Sequence, residues 1–424
     1  MLARITAPKF PKRNFPITDF GAAPDTDCTE SIAKAIAACN ESGGGQVIIP
    51  PGVWLTGPVH LKSNVNLRIS EGATLRFIPD PARYMPPVLT RFEGIECMNF
   101  SPLVYAHGQE NIAVTGKGTL DGGASLDNWL RWAVRASGGE SKQAPDRKTL
   151  DQAGTDGRPV EQRVFGLGHF LRPNFIQLYR CKTALIEGVT IINSPMWEIH
   201  PVLSTNVTVR GVAIHSLGAN NDGCDPESCR DVLIEDCVFE TGDDCIAIKS
   251  GRNNDGRRVG APTENVIIRR CVMKDGHGGV TIGSEISGDC RNVFVEDCKM
   301  DSPNLERAFR FKSNAVRGGV IENIAFRNIQ IGRVARAALS VEFDYEEGAD
   351  GPFKPVLRNI LISNVTSESS GRVMAVTAFP GAIIEGVRLR HCVFGGVEAA
   401  DVLTYAGTVE MQNVTIVPAK KEKK

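Results

Sequence analysis

Several things that would steer a reading are missing from this chain. Neither sign of charge dominates: 48 Lys and Arg stand against 49 Asp and Glu, for a formal net charge of −1. Without a basic excess there is no electrostatic footprint of a nucleic-acid binder. No run of 18 apolar residues occurs, so no membrane span is expected. Met1 to Arg13 lacks the apolar segment of a secretory signal. The protein is therefore expected either to be cytosolic or to have lost a signal ahead of this numbering, and the second, extracytoplasmic reading is preferred. The 12 cysteines contain no CxxC and no zinc spacing, and they read as buried reduced thiols. Few stretches have helical period. What remains, 424 residues at 42% hydrophobic, suffices for a large core.

What is present is a repeat. A polar residue or Gly is followed by alternating apolar positions, starting at Asn206, Asp231, Asn265, Asn292, Asn323, Asn359, Gly386 and Asn413. The intervals run from 25 (206 to 231) to 36 (323 to 359) residues, which marks a solenoid. Val and Ile alternating with period two mean strands. The expected fold is all-β: a right-handed parallel β-helix forming one domain over 1–424. Cys181, Cys237, Cys271, Cys298 and Cys392 fall at similar repeat positions and are expected to stack inside the coil. An N-terminal cap is expected over about 14–60, with Asp27 to Glu30 as a capping box and Ile32, Ala33, Ile36 and Ala37 as the buried face of a helix that Gly43 to Gly45 ends. Residues 123–170 break the repeat and read as a long loop. The terminal Lys420 to Lys424 reads as a solvated tail.

The chemistry sits in a second strand of each coil, with catalytic coils expected over about 197–345. These strands align on Ser228, Ser250, Ser284 and Ser313. In that register Asp222 stacks on Asp244, each six residues before its Ser (222 to 228, 244 to 250), and Asp243 stacks on His277, each seven before (243 to 250, 277 to 284). Arg310 and Lys312 follow two coils on, with Phe309 and Phe311 turned inward. Neighbouring strands lie ~4.8 Å apart, so three carboxylates and an imidazole should gather within one or two spacings. Glu227 stacks near Lys249 as a structural pair. Taken singly, Asn-Asp-Gly, Gly-Asp-Asp and Gly-His-Gly are turn sequences. Together on one edge they suggest acid–base cleavage, with Arg310 and Lys312 holding an anion. Asn220, His200 and Tyr345 are further candidates for substrate contact.

The order Asn220-x-Asp222, Gly242-Asp243-Asp244, Gly276-His277-Gly278, Arg310-x-Lys312 resembles the polygalacturonases, family 28 of the glycoside hydrolases. The likeness extends from Phe20-Gly-Ala-x-Pro-Asp25 to the last coils, with Asn221 in place of the commoner Thr and Phe311 in place of the commoner Ile. The resemblance implies hydrolysis of α-1,4-galacturonosyl linkages with inversion, on pectic polysaccharide or oligogalacturonide, without metal or cofactor, and without a nucleic-acid or membrane partner; an oligomer is left open. It implies that Asp243 is the general acid, that Asp222 and Asp244 hold and deprotonate the water, that His277 tunes Asp243, and that Arg310 and Lys312 bind a galacturonate carboxylate. Inverting enzymes usually separate acid and base by ~6.5–9.5 Å, and the register places them closer. The 123–170 insertion, with Trp129, Trp132, Arg163 and His169, is long enough to wall off one end of a cleft, and Arg252 in the 251–258 loop is placed to grip a terminal carboxylate. Both features resemble the bacterial exo-acting branch. Two other readings stay open: a lyase using Asp222, Asp243 and Asp244 as a calcium cluster and Arg310 as base, and a noncatalytic glycan-binding β-helix.

Overall fold

The computed structural model describes residues 1–135 and 139–420, so the end of the basic tail, expected to be solvated, lies outside the described residues. The chain winds into a right-handed parallel β-helix. One inward column runs from Val47 through Leu67, Val114, Ile186, Val209, Ile234, Ile268, Val295, Phe326 and Ile362 to Leu389, each paired in parallel with the next. Every member is at most 1% exposed. A single ladder thus carries the core along the whole length.

The repeat starts have a conformational cause. Asn206, Asp231, Asn265, Asn292, Asn323, Asn359, Gly386 and Asn413 all adopt φ between 53° and 65°. This left-handed turn admits Gly freely and Asn or Asp at modest cost. The side chains then bond from coil to coil: Asn265 Nδ2 donates to Asp231 (3.1 Å), Asn292 to Asn265 (3.1 Å), Asn323 to Asn292 (3.2 Å) and Asn359 to Asn323 (2.6 Å). The N-terminal segment straps this edge, with the Thr6 and Lys9 amides donating to Asn206 (2.8 Å) and Asn111 (3.1 Å).

Helix α1 (Thr29–Glu41) covers the N-terminal end of the core. Its details correct the expectation. The helix begins one residue late for a capping box: Asp27 accepts from the Thr29 amide and hydroxyl (3.1 and 2.6 Å), while Glu30 pairs with Lys34 instead of returning a bond. The buried face is Ile32, Ala35, Ile36 and Cys39, the i, i+3, i+4, i+7 set from Ile32, and Ala33 is exposed. The thiols are buried and unpaired. Cys237, Cys271, Cys298 and Cys392 share a column one residue before the pairs 238–272–299–330–366–393. Cys181 does not: it precedes Lys182, whose pairing with Thr205 and Arg230 puts it in register with Cys229.

The 123–170 segment is not a plain loop. It contains helix α2 (Ala144–Thr155), and the 251–258 loop winds into a short helix α3 (Asn253–Val259). Both pack beside an antiparallel hairpin, Val88–Phe92 with Ile95–Asn99. Trp129 is buried edge-on against Tyr84 (centroids 5.5 Å apart), and Trp132 leans on Trp129. At the other end of the solenoid the last strand, Val409–Pro418, leaves Met411, Ile416 and Val417 between 42% and 49% exposed. Among the described residues no helix is long and apolar enough to cross a membrane.

Candidate active site

Isolated parallel bridges Cys224–Ile246 and Glu227–Lys249, with Ile246 paired to Val280, set the register across the site. They put Asp222 beside Asp244 and Asp243 beside His277, as the aligned serines predict. Carboxylate oxygens of Asp222, Asp243 and Asp244 lie within 4.8 Å of one another. His277 Nδ1 is 2.9 Å from Asp243 Oδ1. Phe309 and Phe311 are fully buried, and Phe309 stacks on Phe326 (4.1 Å), so Arg310 and Lys312 face outward. Asp222, Asp243, His277, Arg310, Lys312, Asn220 and Tyr345 all line one pocket of about 340 Å³.

The three aspartates are not equivalent. Asp244 is 0% exposed. Its Oδ2 accepts from Lys312 Nζ (2.8 Å), and its Oδ1 accepts from the Thr281 hydroxyl (2.8 Å) with Arg310 Nη1 at 3.5 Å. Burial alone would raise its pKa, but Lys312 and Arg310 outweigh burial and hold the carboxyl well below the usual range. Asp222 goes the other way. Burial first, then the neighbouring carboxyls of Asp225 and Asp243, push it well above its ordinary value against the opposing pull of Lys249. His277 is raised chiefly by its bond to Asp243. His277 therefore keeps its proton to a higher pH than a free imidazole. Asp244 stays ionised, and Asp222 is the better proton acceptor.

The cations are also pre-engaged. The Arg310 guanidinium donates to Glu342 (2.7 and 3.2 Å), so less of its fork faces the pocket than the sequence suggested. Lys312 lies 5.4 Å from the Tyr345 ring centroid. A divalent cation at the aspartate cluster would have to compete with the Lys312 ammonium at Asp244 Oδ2. Asn221, where Thr is commoner, is spent on the backbone: its Nδ2 donates to the Ser194 and Met196 carbonyls (both 3.1 Å) and its Oδ1 accepts from the Gly218 amide (2.8 Å).

Two expected substrate contacts are not in the pocket. His200 is 0% exposed, its Nε2 2.8 Å from Glu227 and its Nδ1 3.0 Å from Gln177. It points outward from its strand, but the hairpin covers that part of the face. Arg252 is buried at 4%, between Glu93 (3.2 Å), Asp151 (3.1 Å) and Glu346 (3.7 Å). Of the insertion residues, Arg163 pairs with Asp255 (2.7 Å) and His169 with Asp146 (2.8 Å), both away from the pocket. The insertion reaches the pocket through Arg147 of α2, which pairs with Glu93 of the hairpin turn and lies 3.7 Å from Glu346. Trp197 and Lys249 also line it. Trp197 could have been found by register, since Ile199–Cys224 places it one coil before Asp222. Glu93 and Arg147 come from outside the repeat and leave no such signal.

The chain is similar to several known proteins. A "probable polygalacturonase" of Vitis vinifera is 28% identical over 88% of this chain and 72% of its own. An exo-poly-alpha-D-galacturonosidase of Dickeya chrysanthemi is 28% identical over 78% of this chain, which spans 57% of that protein. The crystal structure of a hyperthermoactive exopolygalacturonase from Thermotoga maritima superposes with a TM-score of 0.94 at 43% identity, covering 98% of this chain and 94% of the other. Residues 167–391 match the model of glycosyl hydrolases family 28. That span holds all four motifs, and the chain belongs to family 28 of the glycosyl hydrolases.

Proposed function

We propose that the protein hydrolyses α-1,4-galacturonosyl linkages of polygalacturonate, releasing single galacturonates from the non-reducing end. The site supports the following reaction. Asp243, hydrogen-bonded to His277, delivers a proton to the glycosidic oxygen as the bond to the anomeric carbon breaks. A water between Asp222 and Asp244 attacks that carbon and loses its proton to Asp222, while ionised Asp244 orients it. Lys312 and Arg310 favour a uronate over a neutral sugar, Lys312 as a point charge and Arg310 with what remains of its fork. Inversion is part of the proposal. The carboxylate spacing is below the ~6.5–9.5 Å usual for that outcome, but two carboxylates sharing one water beside the acid meet the same need.

The single observation behind exo action is the meeting of Arg147 and Glu346, 3.7 Å apart, at the pocket rim. Arg147 comes from the insertion and Glu346 from the turn after Gln330–Glu342, the strand that pairs with the Arg310 strand. A continuous polymer would have to pass through that contact, whereas a chain end would stop at it. Early time points on polygalacturonate test the proposal. Galacturonate alone with viscosity nearly unchanged is expected. Mixed oligomers with a fast viscosity drop would overturn exo action, and an ultraviolet-absorbing unsaturated product would overturn hydrolysis. Proton NMR of the first product reads the anomer.

A further inference from the structure

Lys249 has no part in the mechanism above, yet it lines the same pocket with its side chain only 3% exposed. Its Nζ lies 3.7 Å from Asp222 Oδ2, 3.2 Å from Glu285 Oε2 and 4.3 Å from the centroid of the Trp197 ring. An ammonium taken this far out of water needs compensation, and the stack on Trp197 fixes where it sits. The groups facing Asp222 are otherwise nearly all acidic. Asp243 and Asp244 come from the next coil, Asp225 from its own strand and Glu198 from the coil before. Glu198 and Asp225 are 0% exposed, and neither carboxyl has a hydrogen-bond partner among the described residues; Asp222 Oδ1 likewise has none there. The other cations in reach are committed: Lys312 to Asp244 (2.8 Å), and Arg172 to the Pro195 and Ala219 carbonyls (both 2.8 Å) and Asn220 (2.6 Å).

We propose that Lys249 is a positioning residue for Asp222: held by Trp197 and Glu285, it is, among the described residues, the near cation that lets this crowded, buried carboxyl ionise in the working pH range, so that it can take the proton of the attacking water. The inference rests on the reading of Asp222 as the proton acceptor. It also gives the surrounding acids a purpose. They raise the proton affinity of Asp222, which makes it an effective base, and Lys249 limits that rise so that the base is not permanently protonated. Asp244, neutralised by Lys312, cannot substitute, because it does not hold a proton near neutral pH.

The test is the pH dependence of kcat/KM on polygalacturonate. Lys249→Met alone would leave Glu285 buried without this partner, so the informative variant is the double Lys249→Met, Glu285→Gln, which removes one charge of each sign and leaves the net charge unchanged. Its acidic limb should move up by about 1–2 pH units, costing about 10–100-fold below the new limb, with most activity recovered above it and KM little altered. Lys249→Arg, which keeps the charge and the stack, should keep the limb near its original place. A loss of activity equal at all pH values, or a raised KM with an unmoved limb, would overturn the proposal, since Lys249 would then be structural or a carboxylate binder. Asp222→Asn is measured alongside. If that variant keeps its turnover, the base assignment falls and this inference with it. If it is inactive while the limb of the Lys249 variant stays put, this inference alone falls.

Discussion

Two outward columns run along the same coils. On one edge, Asp231, Asn265, Asn292, Asn323 and Asn359 repeat nearly the same side chain, and each bonds the next. On the other, the side chain changes at every coil, and Asp222, Asp225 and Glu198 include buried oxygens with no hydrogen-bond partner among the described residues. The backbones differ too: the Asn column sits in the left-handed region, and Asp222, Asp225 and Glu198 do not. A polar column that satisfies itself adds to stability and does little else. A polar column left in conflict costs stability and keeps its groups available for protons and anions. The cleft is legible as a cleft because it lacks the order of the opposite edge.

That contrast can be broken from either side. The largest effect is expected from Asp243→Asn: turnover should fall by about 10²–10⁴-fold, with the melting temperature nearly unchanged, as measured by initial rates and thermal unfolding. Near-wild-type turnover would remove Asp243 from the role of acid. Lys312→Met should follow, raising KM for galacturonides about tenfold or more and for methyl-esterified substrate less. An equal loss on both would reassign Lys312 to holding Asp244. On the quiet edge, Asn292→Ala should cost about 2–3 kcal/mol of stability, the sum of a left-handed backbone without Gly or Asn and two lost amide bonds, with unaltered kcat. Asn292→Gly should cost less, because the backbone conformation is then free. Chemical denaturation of the two variants separates backbone from side chain. The smallest effect belongs to His277. Its pKa is raised in the folded state, so its contribution to stability is present below its ordinary value of 6.5 and is lost as pH rises through the raised value. The stability gap between wild type and His277→Gln should narrow from pH 5.5 to pH 8, by well under about 1 kcal/mol, because the side chain is 48% exposed.

The solenoid and the position of its site were legible in the sequence for one reason. In a parallel ladder, sequence register is spatial register, so aligning four serines was enough to bring Asp222, Asp243, Asp244 and His277 together. That logic does not reach His200 and Arg252. Register says which side chains face outward, but not what covers them, and the hairpin, α2 and α3 are packed over that part of the face. Arg147 and Glu93 were invisible for the converse reason: they enter the pocket from segments that belong to no coil. Cys181 misled because a Cys can precede either of two strands in a coil: Cys181 precedes Lys182–Glu187, whereas Cys237 precedes the later strand Val238–Thr241, and only the pairing tells the two apart.

The exposed side chains of the last strand have a consequence in time. Each coil rests on its neighbours, so the solenoid behaves as a one-dimensional stack, and with Met411, Ile416 and Val417 exposed its weakest boundary lies at the last strand. Heating should peel coils inward from residues 409–418, whereas α1 holds the opposite end shut. The catalytic coils lie in the middle of the stack. Amide hydrogen exchange should therefore advance through the final coils well before it reaches Asp222, and the protein should go on turning over substrate while its tail end is already unwinding.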